Sequence, residues 1–167
     1  MPHKFDGIIL MGPFGSGKSY LGRRLNELGI ARYVDLEPIV YDRFADGDDF
    51  DLDAATDFIR NHYHQQLSSG DGAAAFESTG VVQRPLLLDM MAQYEIALVR
   101  VCTPGDTCLE RVRLRNVAAI RPIIMENAEN FFDYWTNEIA PTWTFMLEVD
   151  GTDEATAINK IRSLLSC

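Results

Sequence analysis

At 167 residues, the chain is long enough to bury roughly two thirds of its unfolded surface in one core, which excludes a small scaffold dependent on disulfides. Hydrophobic residues at 47% and charged residues at 24% lie in the ordinary globular range and argue against disorder or a fibrous repeat. With 15 basic and 25 acidic side chains the formal charge is −10 at pH 7, a field that repels polyanions and excludes non-specific nucleic-acid binding.

The longest apolar runs, such as Ile8 to Met11 and Leu86 to Leu88, fall far short of the roughly 20 residues that cross a bilayer, so no membrane partner is expected. Asp6 and Gly7 interrupt the stretch that a secretory leader would need, and the expected location is cytoplasmic. Cys102, Cys108 and Cys167 make neither an even set nor a Cys-x-x-Cys pair and read as free thiols.

In chain order, Phe5 to Met11 is a continuous apolar run followed at once by glycines, the pattern of a central strand buried on both faces. Leu21, Leu25 and Leu28 recur at helical spacing from Lys18 onward, and Gly29 stands where a helix C-cap is expected. Ala31 to Val34 reads as a second strand ending at Asp35, Ala73 to Phe76 as a third ending at Glu77, and Ile96 to Val101 as a fourth ending at Cys102. Thr103-Pro104-Gly105-Asp106 combines a capping hydroxyl with a first-turn proline, predicting a helix from about 104 to 116. Phe145 to Val149 is the last strand, and a closing helix carries Ala155, Ile158, Ile161 and Leu165. Five strands separated by helices predict one domain over 1–167, a three-layer α/β fold around a parallel sheet.

Two stretches stand outside the alternation. Seven aspartates (42, 46, 48, 49, 51, 53 and 57) fall between 42 and 57 with Arg43 the one basic residue among them, the pattern of a solvated, mobile connection. Arg111, Arg113, Arg115 and Arg121 bring 4 of the 15 basic residues into 11 positions of an acidic chain, which asks for an anionic partner.

The segment Gly12-Pro13-Phe14-Gly15-Ser16-Gly17-Lys18-Ser19 matches Gly-x-x-x-x-Gly-Lys-Ser between a predicted strand and a predicted helix, the context that a phosphate-binding loop requires. Phosphate oxygens must meet several backbone N–H groups at once, so Gly12, Gly15, Ser16 and Gly17 let the chain curl around them. Lys18 then reaches the β- and γ-phosphates, and the Ser19 hydroxyl is placed to ligate Mg2+; Tyr20 completes the nucleotide-binding set. Guanine recognition through Asn-Lys-x-Asp is not supported, since the Asn-Lys at 159–160 is followed by Ile161-Arg162.

With that loop in place the sequence resembles the small P-loop kinases of the shikimate kinase, gluconate kinase and nucleoside-monophosphate kinase group, over nearly its whole length. Besides Gly12 to Ser19, the carriers are Tyr33-Val34-Asp35-Leu36-Glu37, Cys108-Leu109-Glu110-Arg111, Arg121-Pro122-Ile123-Ile124 and Leu147-Glu148-Val149-Asp150-Gly151-Thr152. The resemblance implies a P-loop NTPase fold with sheet order 2-3-1-4-5, a substrate-binding segment at about 38–70 and a short lid at about 115–124. Phe76-Glu77-Ser78-Thr79-Gly80 replaces the triple glycine of shikimate kinases after strand three, which argues against shikimate as acceptor.

Asp35, at the carboxyl edge where such sheets bind ligands, is the first candidate for general base or Mg2+ ligand. Glu77 occupies the matching place after strand three, as a carboxylate for Mg2+-bound water or substrate hydroxyls, and either acid is open as the base. Asp35, Glu37, Glu77 and Gly80 make up the candidate acceptor contacts together with Arg60, which resembles the substrate-carboxylate arginine of shikimate kinases. Arg111 and Arg115, four apart, share a helix face that Arg113 leaves; Arg115 and Arg121 are expected to close over the transferring phosphates, with Arg111 near adenine. His62 and His64, two apart, are poorly arranged to chelate one metal, and Phe131, Phe132, Tyr134 and Trp135 read as core packing. The leading function is transfer of the γ-phosphoryl group of ATP, with Mg2+, to a small hydroxyl compound, by a monomer or homodimer. A nucleoside-monophosphate kinase and a regulatory ATP-binding module without acceptor are the alternatives.

Overall fold

A computed structural model describes residues 4–46, 49–114 and 130–166. Along the chain run β1 (Gly7–Met11), α1 (Lys18–Glu27), β2 (Arg32–Tyr33), α2 (Leu36–Phe44), β3 (Ala45–Asp46), β4 (Asp49–Phe50) and α3 (Leu52–Ser68). They are followed by β5 (Ala74–Ser78), α4 (Arg84–Gln93), β6 (Ile96–Cys102), α5 (Gly105–Leu114), β7 (Leu147–Asp150) and α6 (Glu154–Ser166). A π-helical turn at Trp135–Ile139 and a 3-10 turn at Ala140–Thr142 precede β7.

β1 is buried along its whole length, and its side chains alternate between the two faces of the sheet. Ile8 and Leu10 enter one core, Ile9 and Met11 the other. A strand apolar on both faces needs a covering layer on each side. α1 and α6 supply one through Leu21, Leu25, Ile158, Ile161 and Leu165. α3, α4 and the helical turns near 135–142 supply the other through Ile59, Tyr63, Leu87, Met90 and Trp135.

The sheet is parallel in the order β2-β5-β1-β6-β7. Counting its own strands along the chain, this is the expected 2-3-1-4-5; the separate antiparallel hairpin β3–β4 shifts the numbering. The aspartate-rich stretch, expected as a solvated, mobile connection, carries regular structure among the described residues. Among the described residues the stretch is the end of α2, the hairpin and the first turn of α3. Asp51 caps α3, accepting from Ala54 N at 3.0 Å, and Asp53 lies in the first turn, where the positive end of the helix dipole favours acids.

Other details differ from expectation: β1 begins at Gly7, β5 runs from Ala74 to Ser78 and β7 from Leu147 to Asp150. β2 pairs only at Arg32 and Tyr33, because Val34 already turns toward a cavity. α5 starts at Gly105 and the Thr103 hydroxyl donates elsewhere, to Ser16 O; positions 115 and 116 lie outside the described residues. In α6 the inward side chain is Ala157, while Ala155 faces solvent. Phe131 and Trp135 pack into the core as expected, whereas Tyr134 is exposed. No described helix is long and apolar enough to cross a membrane.

Candidate nucleotide and acceptor site

The loop between β1 and α1 takes its shape from left-handed glycines, Gly15 at φ +79° and Gly17 at φ +98°, a region that glycine enters without strain. A Cβ on Gly15 would stand 2.2 Å from the Cys108 carbonyl oxygen, so the loop lies directly against α5. Gly17 caps α1 with no side chain on the free N–H groups and no acid in the first turn, which leaves the positive end of the helix open to an anion.

The back of the loop is pinned from several sides. Gly12 N donates to Ser78 O at 3.4 Å, and the fully buried Ser16 accepts from Thr103 Oγ1 at 2.8 Å. Arg111 straps the loop to the turn after β7, its Nη1 donating to Gly15 O at 3.3 Å and its Nη2 to Gly151 O at 3.2 Å. Lys18 is 8% exposed, and its Nζ donates to Pro13 O at 2.8 Å, holding the cation inside the loop.

Ser19 leads to the acids. Its Oγ donates to Glu77 Oε2 at 2.8 Å, and the Tyr33 hydroxyl donates to Glu77 Oε1 at 2.5 Å. Glu77 stands on β5, the strand beside β1, level with the loop. Burial and then the charge of Glu77 push the Tyr33 phenol well above its ordinary range, keeping it a hydrogen donor. A Cβ on Gly22 of α1 would lie 2.5 Å from Cδ2 and Cε2 of Tyr33; the glycine is the space that the ring occupies. Asp35, after β2, is ion-paired with Arg23 at 3.0 Å.

Two cavities flank the loop, of about 430 and 450 Å3, and Gly15, Gly17 and Ser19 line both. One of them adds Tyr20, Arg23, Arg111, Asp150, Gly151 and Thr152. There Tyr20 donates to Glu154, which Arg24 Nε also reaches at 2.8 Å. Hydrogen bonds from Thr152, at 2.6 Å from its hydroxyl and 2.7 Å from its N–H, hold the Asp150 carboxyl below its usual range. The other cavity runs from Lys18 and Glu77 under α2 and α3, with Glu37 among its lining residues.

The remaining expected residues separate. Arg60 is not a lining residue: its guanidinium pairs with Asp57 at 2.5 Å, and the same helix sends Thr56 and Ile59 to the cavity instead. Gly80 serves packing, since a Cβ there would meet Met11 Sδ at 2.8 Å and Trp143 Nε1 at 2.9 Å. Asp35 lies between the lining residues Val34 and Leu36 without lining the cavity itself. Arg115, Arg121 and the lid at 115–124 lie outside the described residues, as does Cys167. His64 Nδ1 is 2.9 Å from the Tyr94 hydroxyl. Sequence reasoning assigned no site role to Tyr33 or Arg23, and gave Thr103 only a helix-capping hydroxyl. A tyrosine two positions before the candidate acid was the one available signal for the first.

Solved structures with a similar fold are found. A shikimate kinase from Bacteroides thetaiotaomicron superposes with a TM-score of 0.66 at 15% identity, covering 96% of this chain and 99% of its own. An APS kinase from Mycobacterium tuberculosis, in complex with AMPPNP and APS, gives 0.62 at 18% identity, covering 96% and 98%. The fold is that of the small P-loop kinases. A shikimate kinase from Acinetobacter baumannii in complex with shikimate gives 0.61 at 18% identity, covering 95% and 89%. No protein-family model matches the sequence, and no curated protein matches it.

Proposed function

We propose that the protein is a small-molecule kinase that moves the γ-phosphoryl group of ATP to an acceptor hydroxyl with the help of Mg2+. The observation that carries this reading is the position of the loop between two cavities that share Gly15, Gly17 and Ser19. A module that only binds nucleotide needs one of them; a transferase needs both, meeting at the phosphate.

In this reading the cavity beside Arg111 and Thr152 takes the nucleoside of ATP, and the loop N–H groups with Lys18 take its phosphates. Arg111 acts by fixing the loop backbone, through the carbonyls of Gly15 and Gly151. The residues fit Mg2+, a hard cation commonly held by one or two protein oxygens together with substrate phosphates: Ser19 and Glu77 present adjoining oxygens, and the described residues form no larger acid or histidine cluster. When bound, Mg2+ neutralises phosphate charge. Tyr33 holds the Glu77 carboxylate in register with Ser19. Asp35, which stands between the lining residues Val34 and Leu36 and is ion-paired with Arg23, is assigned to the acceptor hydroxyl through an intervening water. Arg115 and Arg121 are proposed to close over the transferring group.

The test is ADP release from ATP and Mg2+ against pooled hydroxyl compounds, with Lys18→Ala as the blank. Acceptor-stimulated release that the blank lacks supports the proposal. ATP binding by the wild-type protein with no stimulation by any pool would move the reading to a regulatory module.

A further inference from the structure

Resting on that phosphotransfer reading, we infer that the acceptor is an uncharged alcohol with an apolar aromatic or alicyclic body, rather than a sugar acid, another carboxylate or a nucleoside monophosphate. The first ground is the lining of the acceptor cavity. Ser19, Glu37, Thr56 and Gln83 join Lys18 and Glu77 as polar lining, but most of the wall is aliphatic and aromatic, including Val40, Ile59, Tyr63 and Phe76. Four large apolar side chains that line it are exposed to solvent, Val34, Tyr41, Leu52 and Val82, the last two at 50% and 65%. Apolar surface left open around a concave site of small-molecule size is surface that a ligand covers.

The second ground is where the cations go. Lys18 is the one basic side chain among the described lining residues, and the phosphates of ATP claim it. The arginines nearest in sequence to the wall are engaged elsewhere. The Arg43 guanidinium lies over the rings of Phe44 and Phe58, 5.6 and 5.1 Å from their centroids. Arg60 pairs with Asp57. Arg84 donates to Thr142 Oγ1 at 2.8 Å and stacks on Trp143 at 4.3 Å. With Arg115 and Arg121, outside the described residues, assigned to the transferring phosphoryl group, an acceptor carboxylate or phosphate placed between these walls gives up its water and meets Glu37 and Glu77 with no described cation left to pair with it, an unfavourable exchange. A neutral alcohol gives up little and gains apolar burial.

In the transfer, the acceptor oxygen forms a bond to the γ-phosphorus as the bond from that phosphorus to the β,γ-bridging oxygen breaks. ADP leaves with the electron pair, and the hydroxyl proton is released by way of Asp35 to water. The products are a phosphate monoester, ADP and one proton.

The experiment measures binding by calorimetry, with Mg2+ and a non-hydrolysable ATP analogue present, and ADP release with Mg2+ and ATP in parallel. The neutral probes are 3-phenylpropan-1-ol, cyclohexylmethanol and 2-(indol-3-yl)ethanol; the anionic probes are shikimate, gluconate and AMP. At least one alcohol is expected to bind at least tenfold more tightly than every anion and to stimulate ADP release. Leu52→Lys and Val82→Lys, each at a solvent-exposed site and checked for folding by thermal melting, are expected to weaken that alcohol at least fivefold. Tighter binding of any anion, absence of binding by all three alcohols, or unchanged alcohol binding in both folded variants overturns the inference. Alcohol binding that responds to the variants without ADP release upholds the cavity's chemistry and overturns the phosphotransfer reading instead.

Discussion

Tyr33→Phe removes one oxygen and leaves the ring in place against Gly22 and the core. What disappears is the hydroxyl that donates to Glu77 Oε1 at 2.5 Å from a side chain 7% exposed. A hydrogen bond to a charged group contributes about 1.5–3 kcal/mol. Glu77 keeps its second donor, Ser19, at 2.8 Å and is only half buried, so water replaces part of the loss. The lower end, about 1.5 kcal/mol, is the expected stability cost. At about 2–4 °C per kcal/mol for a domain of this size, the melting temperature should fall by about 3–6 °C. If Glu77 must stay aligned with Ser19 for transfer, a similar loss appears in the barrier, about tenfold in turnover. Thermal melting and coupled ADP release read the two effects, with kcat falling while the KM for ATP stays within about twofold. A melting temperature within about 1 °C of wild type, together with unchanged turnover, would refute the idea that Tyr33 positions Glu77.

Gly15→Ala should abolish ATP binding measured by calorimetry, since its Cβ would meet the Cys108 carbonyl at 2.2 Å in a left-handed conformation. Gly22→Ala, which in an ordinary helix interior gains up to about 1 kcal/mol, should instead destabilise by about 1–3 kcal/mol in chemical denaturation through overpacking against the Tyr33 ring. Glu77→Gln should raise the Mg2+ concentration for half-maximal ADP release about tenfold or more, because one hard anionic oxygen becomes a neutral amide; Asp35→Asn should lower kcat with ATP affinity kept. Burial lowers the His62 pKa, so the unfolded chain binds its proton more readily. That contribution to stability is complete above the unfolded value near 6.5 and is lost as the pH falls from there through the depressed folded value. His62→Gln should flatten the fall in melting temperature below pH 6.5.

The parallel sheet was legible because a strand with no polar position, Ile8 to Met11, admits no solvent on either face, whereas its order came only from the resemblance to small P-loop kinases; the loop was legible because glycine, lysine and serine at fixed spacing have few physical uses other than holding phosphate. The aspartate-rich stretch misled for the opposite reason. Charge density alone does not distinguish a solvated connection from caps and first turns, and Asp51 became a cap only because α3 begins beside it.

The linear order of residues thus determined the nucleotide loop, since the loop is local: eight consecutive residues and the helix that follows them. What tertiary structure alone decided is which distant groups face that loop. Glu77 lies 58 residues from Ser19, and Arg111 lies 96 from Gly15. Arg60, one residue from the cavity-lining Ile59, ends in an ion pair on another side of its helix, because successive helical positions diverge by about 100°. The apolar character of the cavity under α2 and α3 arises the same way. Its apolar side chains, such as Val40, Ile59 and Phe76, read in sequence as ordinary core, and only the packing of α2 and α3 beside the sheet leaves their shared surface open.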